Sequence, residues 1–164
     1  MAKPTALKHR NLPLLLLKAR EALMETRRPA LRSHGLSDQQ WRVLRVLSDP
    51  VNASGIETGR LAREAHLLGP SLTGVLSRME RDGLVLRQRS EADARRSVVR
   101  ITEVGDGLAS SLSVVIESQY SDLEATIGQP KLNKLYTLLD ELIALQQLDQ
   151  IDQEEGISMT EDDL

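Results

Sequence analysis

The stretch GPSLTGVLSRMERDGLV, residues 69 to 85, decides how the chain is read. Leu72, Val75, Leu76 and Met79 recur at i, i+3, i+4 and i+7, the spacing of one apolar helical face. On a helical wheel the opposite sector holds Pro70, Thr73, Gly74, Ser77, Arg78 and Arg81. Small and hydroxylated residues come first on that sector, and arginines follow. Gly74 stands in the middle, where a glycine costs about 1 kcal/mol relative to alanine. One explanation is a helix entering a DNA major groove, with its N-terminal residues near base edges and flanking donors on phosphates. Thr73 and Ser77 can hydrogen-bond bases, and a threonine methyl can meet a thymine methyl. The other explanation is close packing of Gly74 against a second protein helix. On the glycine alone the two weigh equally.

The neighbouring segments shift that balance. Pro70 suits the first turn of this helix and Gly83 its end. Upstream, Asn11 is the expected N-cap of a helix to about His34, with Pro29 inside it to kink or loosen it and Gly35 to stop it. Ser37 opens a second helix that ends near Ser48, and Thr58 is the expected cap of a short third one. Downstream, LVLRQR and SVVRIT read as two strands joined by a polar loop. Thr102 caps a helix to about Ile127, Gln129-Pro130 breaks it, and a last helix carries Leu132, Leu135, Leu138, Leu139, Leu142 and Leu145. The order is a helix-turn-helix followed by a two-stranded wing.

The hairpin is basic in a particular way. Arg78, Arg81, Arg87, Arg89, Arg95, Arg96 and Arg100 face only Glu80, Asp82, Glu91 and Asp93, and no lysine occurs among them. Arg95 and Arg96 fall at the tip or descending edge of the wing, where an arginine can enter an adjacent minor groove. Asp93 is placed to orient Arg95.

Net charge is −3 over 164 residues, but its distribution is uneven. Asp149, Asp152, Glu154, Glu155, Glu161, Asp162 and Asp163 give residues 149–164 seven acids and no base, so residues 1–148 carry +4. That acidic tail is expected to be disordered and solubilising. With 40% hydrophobic but only 2% aromatic residues, the core must be aliphatic and the fold mainly α. No cysteine is present, which removes disulfides and thiolate metal sites. Three scattered histidines match no zinc-hydrolase spacing, and no Gly-rich phosphate loop follows a strand. The expectation is no enzyme, no metal and no cofactor. No apolar run is long enough to span a bilayer and no secretory leader opens the chain, which reads as cytoplasmic.

The blocks SLTGVLSRMERDGLVLR and DARRSVVRIT, followed by Gly105, resemble the MarR family of winged-helix repressors over roughly residues 12 to 148. Within it, AREALME, QQWRVLRVL and PSLTGVLSRMERDGLV are similar to regulators of aromatic catabolism of the homoprotocatechuate and 4-hydroxyphenylacetate type. The resemblance implies a winged helix-turn-helix DNA-binding domain over residues 36–102. It also implies a helical dimerisation domain built from the N- and C-terminal helices, residues 12–34 and 103–148. The groove face would be Pro70, Ser71, Thr73, Gly74, Ser77 and Arg78, with Arg81 behind it and Arg95 as the wing arginine beside Arg96. The partners so implied are double-stranded operator DNA with a pseudo-palindromic sequence and a second copy of the chain. A winged-helix module that binds protein in place of DNA is the minor alternative.

Family members often respond to small aromatic acids. Arg20, Met24 and Arg28 share one stripe of the first helix, Trp41, Arg42 and Arg45 cluster on the second, and His34 lies between them. An arginine offers a carboxylate two parallel donors, and Trp41 offers a flat apolar wall. Arg20, Met24, Arg28, His34, Trp41 and Arg42 are therefore the candidate ligand-binding residues for a phenolic acid that releases the repressor. Arg42 and Arg45 have a plainer reading too, as phosphate contacts or caps of neighbouring carbonyls. A hydroxycinnamoyl-CoA thioester is the alternative effector, with Arg27, Arg28 and Arg32 for its phosphates.

Overall fold

The computed structural model describes residues 8–89 and 97–158. The elements run α1 (Leu12–Ser33), α2 (Asp38–Leu47), a 3-10 turn (Pro50–Asn52), β1 (Ile56–Glu57), α3 (Thr58–Glu64), α4 (Gly69–Arg81), β2 (Val85–Arg89), β3 (Ser97–Ile101), α5 (Glu103–Ile127) and α6 (Gln129–Ser158). This is a mainly α winged helix-turn-helix. The chain divides into two compact units after Gln119.

In the first unit, the caps follow from the sequence. Asn11 accepts the Leu14 amide at 3.0 Å and opens α1. Ser37 and Gln40 form a reciprocal capping box at α2. Gly83, at φ +71°, ends α4 in the left-handed region that favours glycine. The core is aliphatic: Val43, Leu44 and Leu47 of α2, Leu61 of α3, Leu72, Val75, Leu76 and Met79 of α4, and Val85 and Val99 of the sheet are all buried. α2 packs on α3, α4 and β3, and α4 also packs on β2.

The wing strands pair antiparallel, Val85 opposite Ile101 and Arg87 opposite Val99. A third strand, β1, adds to the far edge of β3 through Ile56–Val99 and Glu57–Val98 pairs. Two residues are too short a run to show an alternating pattern, so this strand has no signal in the sequence. It also changes the role of Thr58. Glu57, extended by its place in β1, takes the N-cap position of α3 without a side-chain cap. The Thr58 hydroxyl donates instead to the Ser97 carbonyl at 2.9 Å. Pro29 does not interrupt α1, which runs on to Ser33 and ends at His34, whose amide bonds the Ala30 carbonyl.

Thr102 caps α5 by accepting the Gly105 amide at 3.0 Å, and its hydroxyl donates to the Gly83 carbonyl at 2.7 Å. Gly105 sits against the end of α4's exit turn. A Cβ there would collide with the Leu84 carbonyl oxygen and come within 2.9 Å of Ile101 Cγ1.

In the second unit, the break between α5 and α6 lies at Gly128, φ +86°, rather than at Gln129-Pro130. Those two residues open α6, where a proline without an N–H is tolerated. α6 extends to Ser158, past the expected end at 148, so residues 149–158 of the tail expected to be disordered are helical. Leu135, Leu138, Leu142 and Leu145 are exposed in the single chain.

Gly105→Ala should destabilise the protein by about 1–3 kcal/mol through backbone overpacking. Urea unfolding followed by circular dichroism checks this, and an unchanged midpoint would refute the tight contact.

Candidate nucleic-acid interface and effector site

The rotation of α4 is set by its apolar side. With Leu72, Val75, Leu76 and Met79 buried, Pro70, Ser71, Thr73, Ser77, Arg78 and Arg81 are exposed on the other side and Gly74 lies half-exposed among them. A Cβ on Gly74 would meet nothing closer than the Arg78 guanidinium, 3.8 Å away. No helix of the chain packs there among the described residues, so intramolecular packing does not explain the glycine.

The face is partly pre-arranged. Thr73 Oγ1 donates to the Gly69 carbonyl at 3.1 Å and Ser77 Oγ to the Thr73 carbonyl at 3.0 Å, which holds both hydroxyls against the helix with lone pairs outward. Arg81 pairs with Asp82 at 3.0 Å. Arg78 has no ion pair among the described residues. Arg87 of β2 reaches back to Glu80 of α4, with Nε 2.6 Å from Oε2, and its guanidinium lies 3.5 Å from Ser77 Oγ. Arg87 hydrogen-bonds the Glu80 carboxylate and holds its pKa below the usual carboxylate range. The pair ties the wing's first strand to α4. The expected wing arginines, Arg95 and Arg96, lie outside the described residues.

The candidate effector residues fall into two groups. Arg20, Arg28 and Arg42 are engaged internally. Arg20 donates to Glu21 at 2.9 Å and to Asp38 at 2.7 Å, and Arg28 pairs with Glu21. Arg42 Nη1 donates to the carbonyls of Ala65 and His66, at 3.0 and 2.9 Å, while its Nε lies 3.4 Å from Asp38 without completing a hydrogen bond. The carbonyl-capping reading of Arg42 is therefore the one the geometry displays. His34 caps α1, its Nδ1 donating to the Ala30 carbonyl at 2.8 Å. Met24 and Trp41 are buried.

Arg45 differs from these arginines. Its guanidinium lies 5.9 Å from the Trp41 ring centroid, within reach of a cation–π contact, and it has no acid partner among the described residues. It also lines an open cleft of about 510 Å³ between the end of α2 and α5, with Ser48, Asp106 and Ser110. The i,i+4 spacing of Trp41 and Arg45 carried the signal, but only the other arginines' internal pairing singles Arg45 out.

No helix among the described residues is long and apolar enough to cross a membrane. No cluster of metal-ligating side chains occurs among them.

Comparison with known proteins agrees with this architecture. The MarR family model matches residues 36–97. The chain is 42% identical over 137 residues to the homoprotocatechuate degradative operon repressor of Escherichia coli, covering 84% of this chain and 90% of that protein. It is 37% identical over 143 residues to the HTH-type transcriptional regulator FarR of Neisseria gonorrhoeae, covering 87% and 96%. The solved structure of NadR in complex with 4-hydroxyphenylacetate superposes with a TM-score of 0.74 at 37% identity, covering 85% of this chain and 97% of that one.

Two outcomes follow from the geometry of α4. Gly74→Ala should stabilise the protein by about 0.5–1 kcal/mol, since the new methyl enters open space and improves helix propensity. Thermal unfolding reads this, and a lowered midpoint would mean that the site is packed after all. The second outcome concerns pH. The folded Glu80 carboxylate has a lowered pKa, so its contribution is complete above the ordinary carboxylate value and fades as pH falls through the folded value. Wild type should therefore exceed Glu80→Gln in stability at neutral pH, with the gap closing in acid. A gap independent of pH would contradict the pairing.

Proposed function

The chain belongs to the MarR family of transcriptional regulators, and from that premise we propose that it is the dimeric repressor of an aromatic-compound catabolic operon, released from its operator by a small phenolic acid. Its similar proteins are transcriptional regulators rather than enzymes. The observation that carries the reading is the bare side of α4, where Gly74 faces open space between hydroxyls and arginines. A backbone so exposed can approach a base edge, with Thr73 and Ser77 as hydrogen-bonding groups. Arg78 and Arg81 are then positioned for phosphates, and Arg95 and Arg96 are assigned to the adjacent minor groove.

Residues 12–34 and 103–148 serve as the dimerisation part in this reading. Leu12, Leu14, Leu16 and Leu17 of α1 are exposed, as are Leu135, Leu138, Leu142 and Leu145 of α6. Exposed leucines in such numbers call for a covering surface, and a second copy supplies it. The dimer presents two α4 helices to half-sites centred about 34–36 Å apart, one helical turn.

The effector proposal rests on Arg45, whose guanidinium has no acid partner among the described residues. Arg20, Arg28 and Arg42 already hold acids or carbonyls, so a ligand carboxylate meets less competition at Arg45. Trp41, whose ring lies 5.9 Å from the Arg45 guanidinium, then supplies an apolar wall for the ring. The solved NadR complex with 4-hydroxyphenylacetate supports a phenolic acid as the ligand class. For a thioester's phosphates the chain offers less, because Arg28 is engaged with Glu21 and Arg27 also has a partner.

The test is fluorescence anisotropy on the DNA upstream of the gene, at several salt concentrations, with 4-hydroxyphenylacetate, 3,4-dihydroxyphenylacetate and a hydroxycinnamoyl thioester as titrants. Binding should weaken steeply with salt as phosphate contacts release counterions. A phenolic acid should weaken it further, and Arg45→Ala should blunt that response. Absence of salt-sensitive binding to any duplex would overturn the repressor reading. Indifference to the acids, or a response to the thioester alone, would overturn the effector assignment.

A further inference from the structure

Three helices of the first unit end in the same backbone turn. The residue after the cap takes a left-handed conformation, its N–H bonds a carbonyl three residues back, and the next N–H reaches five back. At the end of α1 this residue is Gly35, φ +68°, with Gly35 bonding Arg32 at 3.0 Å and Leu36 bonding Leu31 at 2.9 Å. At the end of α4 it is Gly83, with bonds of 3.0 Å to Glu80 and, from Leu84, 2.8 Å to Met79. At the end of α3 it is His66, φ +52°, with His66 bonding Arg63 at 3.1 Å and Leu67 bonding Ala62 at 2.8 Å. Among the described residues His66 alone has a side chain at positive φ, which its Cβ disfavours.

The α3 turn also differs in being held from outside. Arg42, on α2, donates from one nitrogen to both the Ala65 and His66 carbonyls, groups that the end of a helix leaves without helical partners. Asp38, one turn earlier on α2, lies beside the Arg42 Nε and accepts a bond from Arg20 of α1. Gly69, the first residue of α4, follows His66 by only two intervening residues. The position of that turn therefore sets where the DNA-facing helix begins.

We propose that Arg42 is a positioning residue for DNA binding: it clamps the strained His66 turn and so fixes the start of α4, without touching DNA or effector itself. This rests on the repressor reading above. The bonds come from a charged donor to neutral carbonyls, the stronger class of hydrogen bond. Their loss lets the His66 turn relax toward conformations its side chain prefers, and α4 is then presented in several orientations.

The experiment uses the full chain and duplexes that the wild-type protein selects from a randomised pool. Arg42→Met should weaken binding about ten-fold or more, the scale of a lost charge-assisted bond. The dependence of affinity on salt should keep its slope, because no phosphate contact is lost. Adding His66→Gly should recover most of the loss, since glycine adopts the left-handed turn unaided. His66→Gly by itself should change little. In hydrogen exchange without DNA, the Leu67 amide should lose protection in Arg42→Met and regain it in the double variant. Arg42→Lys, which keeps the charge and some donor capacity, should show the same pattern at smaller amplitude and serves if the methionine variant does not fold. A salt slope shallower by about one would make Arg42 a phosphate contact and overturn the proposal. So would intact DNA affinity with a lost effector response, or a loss that His66→Gly does not relieve. If the wild-type protein selects no duplex, the repressor reading fails, and the exchange measurement still decides whether Arg42 clamps the turn.

Discussion

The rotation of α4 about its own axis is the constraint on which the DNA-facing surface depends. Burial of Leu72, Val75, Leu76 and Met79 against α2, α3 and β2 fixes that rotation. Each such side chain contributes about 1.5–3 kcal/mol when fully buried, well above the helix penalty of one glycine. The apolar face can therefore impose its orientation and leave the opposite side free to be chosen for something other than stability. Gly74, Thr73 and Ser77 occupy that side, and all three are poorer helix formers than alanine. Weak helix formers on a strongly anchored helix are what a binding face needs and a packing face does not.

The arginines separate by partner. Arg87 is held by Glu80 and stiffens the junction of α4 with the wing. Arg20 and Arg28 share acids along α1 and α2, and Arg42 reaches backbone carbonyls of the helix-turn-helix. Exposed pairs of this type add little stability, so their effect lies in orientation. Arg45 is left beside Trp41 with its charge uncommitted among the described residues. A count of arginines cannot separate these roles, since every one of them has the same donors and nearly the same reach.

Much of the architecture was legible along the chain. Asn11, Ser37 and Thr102 cap where their side chains can reach a free amide two or three residues on, a strictly local relation. The apolar period of α4 identified its buried face residue by residue. Reading failed where a distant segment intervened. Thr58 loses its cap role because Ser97, far along the chain, takes its hydroxyl. β1 exists because β3 offers it an edge. Gln129-Pro130 looks like the break before α6, yet Gly128 carries the positive φ and proline merely opens the next helix.

The sequence by itself determined which segments are helices, where most of them start and stop, and which side of α4 is apolar. These depend on propensity, capping and period, all of which act over a few residues. Only the tertiary structure decided what lies opposite each polar group. It showed that no helix packs on Gly74 among the described residues, that a Cβ on Gly105 would collide with a backbone carbonyl, and that Arg42 holds a turn more than twenty residues away. Such relations depend on distance in space between residues remote in sequence, and no local pattern encodes them.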